Sequence, residues 1–202
     1  AGVQALVVRS ERPFRYQLDG EISDPVTELR LDHRPDALRV VVPDLGHRPA
    51  AAIRYVLDVV ARDRGPGAPL AFIGSSLGGY YATWLAEQLG LRAVLVNPAI
   101  DPARDLAKYI GPQQNLYTDE RYELGPAHVA ELAALAVAAP LHPERYLLLV
   151  ETADEVLDYR EAVRRYAGAR QVIVPGGDHT LRSFPDLLPL VFEFAGLARA
   201  GR

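Results

Sequence analysis

The longest stretch without a charged residue covers 22 positions, 65–86, and no other feature constrains the fold as much. A run of about 18 apolar residues can cross a membrane as one helix. This one cannot, because Pro66, Pro69, Gly74, Gly78, Gly79 and two serines interrupt it, and a proline inside a helix removes a hydrogen bond and clashes with the turn before it. The run divides instead into a loop, a short apolar strand at 70–74 (LAFIG), a tight turn at Gly74-Ser75-Ser76 and a helix over 77–89. Such a strand-turn-helix step suits a parallel α/β sheet.

The alternation continues on both sides. Residues 38–43 (LRVVVP) form a β-branched run ended by proline and predict a strand. Over 49–62, Ile53, Val56, Leu57 and Val60 fall at helical spacing behind Pro49, which suits a first helical turn. Further strands are predicted at 93–96, 146–150 and 170–174, with helices near 159–166 and 184–197. The fold class expected is therefore α/β, a mostly parallel sheet with helices on both faces. Residues 1–202 are expected as one domain.

Two segments depart from this rhythm. Between the third and fourth predicted strands, residues 101–143 exceed what a crossover needs. Asp101-Pro102 is a capped helix start, Gly111 a stop, and 127–138 an Ala- and Leu-rich helix, so the segment is expected to form a small helical cap over the carboxyl edge of the sheet. The first 37 residues carry 12 of the 48 charged side chains. Residues 3–8 are expected as a strand and the rest of this segment as an irregular polar stretch.

Composition removes several chemistries. There is no cysteine, which excludes disulfides, thiolate metal sites and a cysteine nucleophile. The 22 basic and 26 acidic residues give a net charge of -4, against the basic excess of a nucleic-acid binder. The four-residue run Ala5-Leu6-Val7-Val8 is short for a signal core of about 7–15 residues, and a cytoplasmic protein with no membrane partner is expected. The five histidines show no metal-ligand spacing, so no metal or cofactor is expected.

Gly74-Ser75-Ser76-Leu77-Gly78 matches G-x-S-x-G, a nucleophile elbow when it joins a strand to a helix. Ser76 would project its hydroxyl from the turn, and the Leu77 N–H at the helix start would face a developing oxyanion; Ser75 is the alternative serine. The serine needs a base. His179 lies in Pro175-Gly176-Gly177-Asp178-His179, after the last strand and before the last helix, as a triad histidine should. His33, His47 and His142 lack such a position, and His128 is expected on the solvated face of a cap helix. The acid should follow the fourth strand. In Thr152-Ala153-Asp154-Glu155-Val156-Leu157-Asp158, Asp154 is the first carboxylate past the strand end and is preferred, with Glu155 and Asp158 as rivals. The order Ser76, Asp154, His179 is that of the α/β-hydrolase fold.

Longer strings carry a more specific resemblance. Gly74 to Leu85 (GSSLGGYYATWL), Val96-Asn97-Pro98-Ala99, the acid segment through Tyr159-Arg160, Gly176-Gly177-Asp178-His179, and the cap segment with Asn115 and Tyr117-Thr118 resemble the YqiA-like esterases, a bacterial family of small α/β-hydrolases. The resemblance covers about 38–197. It implies a serine esterase acting on short- to medium-chain acyl esters, with Ser76 as nucleophile, Asp154 as acid and His179 as base. It also implies an opening strand that runs into a His-Gly type loop holding a second oxyanion donor. Here Arg9-Ser10-Glu11-Arg12 follows the first apolar run instead. Two alternatives stay open: an acyl-CoA thioesterase, with Arg160, Arg164 and Arg165 as a basic rim, and a catalytically weakened hydrolase fold that only binds a ligand.

Overall fold

The computed structural model describes the backbone of residues 4–14, 17–18, 21–22 and 26–33, and both backbone and side chains of 40–65, 68–114 and 121–196. The chain forms two compact units, one of residues 1–44 with 112–122 and one of 45–111 with 123–202.

In the first unit, β1 (Gln4–Phe14) pairs antiparallel with β4 (Val26–His33), and β2 (Gln17–Leu18) pairs with β3 (Glu21–Ile22). This corrects the expectation of one strand over 3–8 followed by irregular chain. The ladder sets Leu6 opposite Leu31 and Val8 opposite Leu29, then continues to Arg9 opposite Glu28. Backbone pairing therefore carries the strand past the apolar run, since every residue other than proline brings its own donor and acceptor.

Residues 40–43 are not a strand, which corrects the expectation for 38–43; 38–39 lie outside the described residues. Val42 is 85% exposed. Strand propensity is a fit to a half-buried pleated surface, and among the described residues no ladder takes in 40–43.

The second unit holds the parallel sheet. Its elements run α1 (Pro49–Asp63), β5 (Ala71–Ser75), α2 (Leu77–Leu89), β6 (Arg92–Val96), α3 (Pro102–Leu106), α4 (Pro126–Ala134), β9 (Tyr146–Glu151), α5 (Tyr159–Arg165), β10 (Arg170–Val174) and α6 (Phe184–Phe194); between α3 and α4 the chain passes through β7 (Gly111–Gln114) and β8 (Arg121–Leu124), of which residues 112–114 and 121–122 belong to the first unit. The sheet order is β10-β9-β6-β5, and all its pairings are parallel. The apolar runs read from the sequence at 70–74, 93–96, 146–150 and 170–174 are these strands.

The central strands are apolar on both faces because both faces are covered. Ala93 and Leu95 of β6, with Tyr146, Leu148 and Val150 of β9, pack against Ala82 and Ala86 of α2, Ala162 of α5 and Tyr166 at the end of α5. The alternate residues Val94, Val96, Leu147 and Leu149 pack against Leu181 and Val191 of the α6 side. A period of two thus splits each strand between two cores.

The excursion between β6 and β9 is the helical cap, with α3 and α4, and it also contains the β7–β8 ribbon, which the sequence did not signal. Asp101 caps α3 as its spacing predicts, its carboxylate accepting from Arg104 N–H at 3.2 Å. α4 packs with α1 and α2 through Leu132, Leu135, Ile53 and Tyr81. The Tyr80 hydroxyl donates to the Leu132 carbonyl at 2.7 Å, and burial pushes its pKa up to about 12. Among the described residues no helix is long and apolar enough to cross a membrane.

Candidate active site

The carboxyl ends of four parallel strands build the site, which is where open α/β sheets bind their ligands. Ser76 follows β5, Asn97 follows β6, Asp154 follows β9 and His179 follows β10. The strands are too apolar within to hold polar groups, so the chemistry collects at their ends.

Ser76 is the N-cap of α2, with φ 52° and ψ -121°, a sparsely populated conformation that costs on the order of 1–3 kcal/mol for a residue with a side chain. The surroundings hold it there. Its N–H donates to the Val96 carbonyl at 3.0 Å, and its own carbonyl accepts from Gly79 and Ala99 at 3.0 Å and from Tyr80 at 3.4 Å. A Cβ on Gly74 would stand 2.2 Å from the Gly78 carbonyl oxygen, and one on Gly79 would stand 2.7 Å from Pro98 Cβ. A turn this tight closes only with glycine at both places. Ser75, the alternative serine, ends β5 as a ladder residue opposite Val96. Leu77 opens α2, where the first N–H groups precede any intrahelical acceptor.

Asp154 and His179 are in direct contact. The imidazole Nδ1 lies 2.9 Å from Oδ2 and 3.0 Å from Oδ1, with the Asp154 side chain 1% exposed and that of His179 20%. The Asp154 carboxylate is fixed from behind, since its Oδ1 accepts Val156 N–H at 2.8 Å and Leu157 N–H at 2.9 Å. The rival carboxylates do other work. Glu155 accepts the His179 backbone N–H at 3.0 Å, and Asp158 caps α5 by accepting from Arg160 N–H at 2.9 Å.

Among the described residues Ser76 Oγ makes no hydrogen bond to His179. Ser76 and His179 are joined instead through backbone and one side chain. The Asn97 amide donates to the Asp178 and His179 carbonyls at 3.1 and 3.0 Å, and its oxygen accepts Glu151 N–H at 3.0 Å. Asn97 lies next to Val96, the residue that holds Ser76 N–H. Its φ of 39° is one that asparagine tolerates better than most residues. Sequence reasoning assigned Asn97 no such role, although an Asn-Pro pair ending an apolar strand is a signal for one.

His128 is not on a solvated face. It is 4% exposed, its Nδ1 accepts Gly125 N–H at 3.1 Å, and its Nε2 lies 3.0 Å from His47 Nδ1. The helix turns that residue inward, toward His47 in the loop before α1. His142 is exposed beside Glu144, and the His33 side chain lies outside the described residues.

The model of Uncharacterised protein family UPF0227 matches residues 25–196. The chain belongs to this YqiA-like family. Solved structures share its fold. The monoacylglycerol lipase of Paleococcus ferrophilus superposes with a TM-score of 0.52 at 16% identity, over 85% of this chain and 84% of the lipase. The esterase domain of a Rhodothermus marinus protein gives 0.53 at 18% identity, over 74% and 70%. Mouse alpha/beta hydrolase domain-containing protein 10 gives 0.55 at 16%, over 75% and 70%. The UPF0227 chain has the α/β-hydrolase fold.

Proposed function

We propose that this UPF0227 protein is a serine carboxylic ester hydrolase with Ser76 as nucleophile, His179 as general base and Asp154 as the acid that orients the imidazole. One observation carries the reading. A carboxylate gripped by two backbone N–H groups meets the histidine at 2.9 Å, on the strand-end edge that also bears a serine in a strained turn. Lipase and esterase neighbours on the same fold support the reaction class.

The chemistry follows from these groups. The acceptor-only Asp154 carboxylate keeps the proton of neutral His179 on Nδ1, which leaves Nε2 with a lone pair. Nε2 takes the Ser76 Oγ proton as Oγ attacks the acyl carbonyl, and Asp154 stabilises the imidazolium that forms. The Leu77 N–H, at the positive end of α2, stabilises the oxyanion. His179 then protonates the leaving alcohol. Water, deprotonated by the same nitrogen, releases the acid from the acyl-serine. The substrate class proposed is a short- to medium-chain acyl ester. The thioester alternative has less support, since Arg165 donates to the Val137 carbonyl and Arg160 lies over the Tyr159 ring, which engages two of the three arginines of its basic rim.

A fluorophosphonate probe tests the proposal. Wild-type protein should be labelled and Ser76→Ala should not. A folded wild-type protein that resists labelling refutes the esterase and leaves the ligand-binding alternative.

A further inference from the structure

Glu151 has no step in this reaction, yet it is 2% exposed at the end of an otherwise apolar strand. A carboxylate is buried only where hydrogen bonds replace its water. Here the loop that carries the histidine supplies them. Oε2 accepts the Asp178 N–H at 2.8 Å, while Oε1 accepts the Ser183 hydroxyl at 2.7 Å and the Ser183 N–H at 3.3 Å. Asp178 stands one residue before His179 and Ser183 four after it, so one side chain grips the loop on both sides of the imidazole. All three contacts donate to it, a set that suits an acceptor-only group. The fit leaves no slack on that side. Gly177 has φ 74°, and a Cβ there would lie 1.9 Å from Oε2.

We propose that Glu151 is a positioning residue for His179, a clamp that sets the height and rotation of the histidine loop over β9. The inference rests on the reading of His179 as the base. Asp154 fixes the ring from its Nδ1 side and Glu151 fixes the backbone that carries it. Loss of the clamp lets the loop shift while the contacts that hold Ser76 and Asp154 in place stay as they are, so turnover falls while substrate binding does not.

Three proteins decide it: wild type, Glu151→Ala and Glu151→Gln, read by ester turnover and by the His179 ring resonance, which His179→Ala identifies. In Glu151→Ala, kcat should fall by about 10²-fold, the scale of a 1 Å misplacement, with KM nearly unchanged and the His179 resonance moved. Glu151→Gln should recover most of the turnover and the resonance, because its amide oxygen still takes the Asp178 N–H and its NH₂ donates to Ser183 Oγ, with only the long Ser183 N–H contact at 3.3 Å lost. A folded Glu151→Ala with wild-type kcat or an unmoved resonance overturns the clamp, as does a Gln variant as impaired as the Ala. If Glu151→Ala does not fold, Glu151→Gln with Ser183→Ala replaces it. The clamp then requires a kcat loss beyond the product of the single losses, and a merely multiplicative loss overturns it. If the wild-type protein turns over no ester, the esterase reading falls, and the resonance of His179 in the variants still decides the clamp.

Discussion

Replacing Asp154 by asparagine changes one atom, and the structure dictates which one. Oδ1 accepts two backbone N–H groups, from Val156 at 2.8 Å and Leu157 at 2.9 Å, while Oδ2 lies 2.9 Å from His179 Nδ1. An asparagine has one oxygen to place. Turning its NH₂ toward Val156 and Leu157 leaves two donors facing donors, at about 1–3 kcal/mol for each group left unsatisfied. The oxygen therefore stays at the Oδ1 place and the NH₂ faces the imidazole. Nδ1 must then accept, the ring proton moves to Nε2, and the nitrogen that should deprotonate Ser76 no longer has a lone pair. The expected loss is about 10⁴-fold in kcat, the magnitude for a triad histidine in the wrong tautomer, or about 5 kcal/mol of transition-state stabilisation. Thermal stability should hardly change, because both backbone contacts survive. Chromogenic ester hydrolysis and circular-dichroism melting of the same preparation check both halves. A folded Asp154→Asn enzyme within tenfold of wild type refutes the tautomer argument, and Glu155→Gln with the larger loss would move the acid to Glu155.

The elbow glycines should separate. Gly79→Ala drives a methyl toward Pro98 Cβ at 2.7 Å and should destabilise by about 1–3 kcal/mol, as overpacking does. Gly78→Ala, in α2 with nothing within 4 Å of the new Cβ, should stabilise by about 0.4–1 kcal/mol through the unfolded chain. Denaturant midpoints report both. In the cap, Arg48 and the Ala50 N–H hold the Glu131 carboxyl below its ordinary range. A lowered folded-state value means that this contribution is present above the unfolded carboxylate pKa and disappears as pH falls through the folded one. Glu131→Gln should therefore melt earlier than wild type at neutral pH, with the difference vanishing in acid. An equal difference at both pH values would exclude the linkage.

Most of the sheet was legible because burial on both faces makes a strand a solid apolar run, as in 146–150. What the sequence hid was partnership. The run 38–43 has the composition of a strand, but no described ladder takes in its residues 40–43. Residues 28–32 (ELRLD) alternate polar and apolar yet read as irregular chain, and they lie in β4, paired with β1. Ser76, Asp154 and His179 stood out because each sits where a strand hands over to a turn. Asn97 and Glu151 did not, because their work is to hold backbone groups that come together only after folding. A charged residue closing the string YLLLVE was the available clue to Glu151.

The two strands sandwiched between cores also set how the molecule opens. Native proteins exchange their amide hydrogens in cooperative units, and the slowest unit is the best buried. With every residue of β9 buried and all but the first of β6, those amides should be the last to exchange. Ser76 N–H hangs on Val96 of β6, and the histidine loop hangs on Asn97 and Glu151 at the ends of both strands. The relative placement of Ser76 and His179 is therefore renewed only when the whole sheet unfolds.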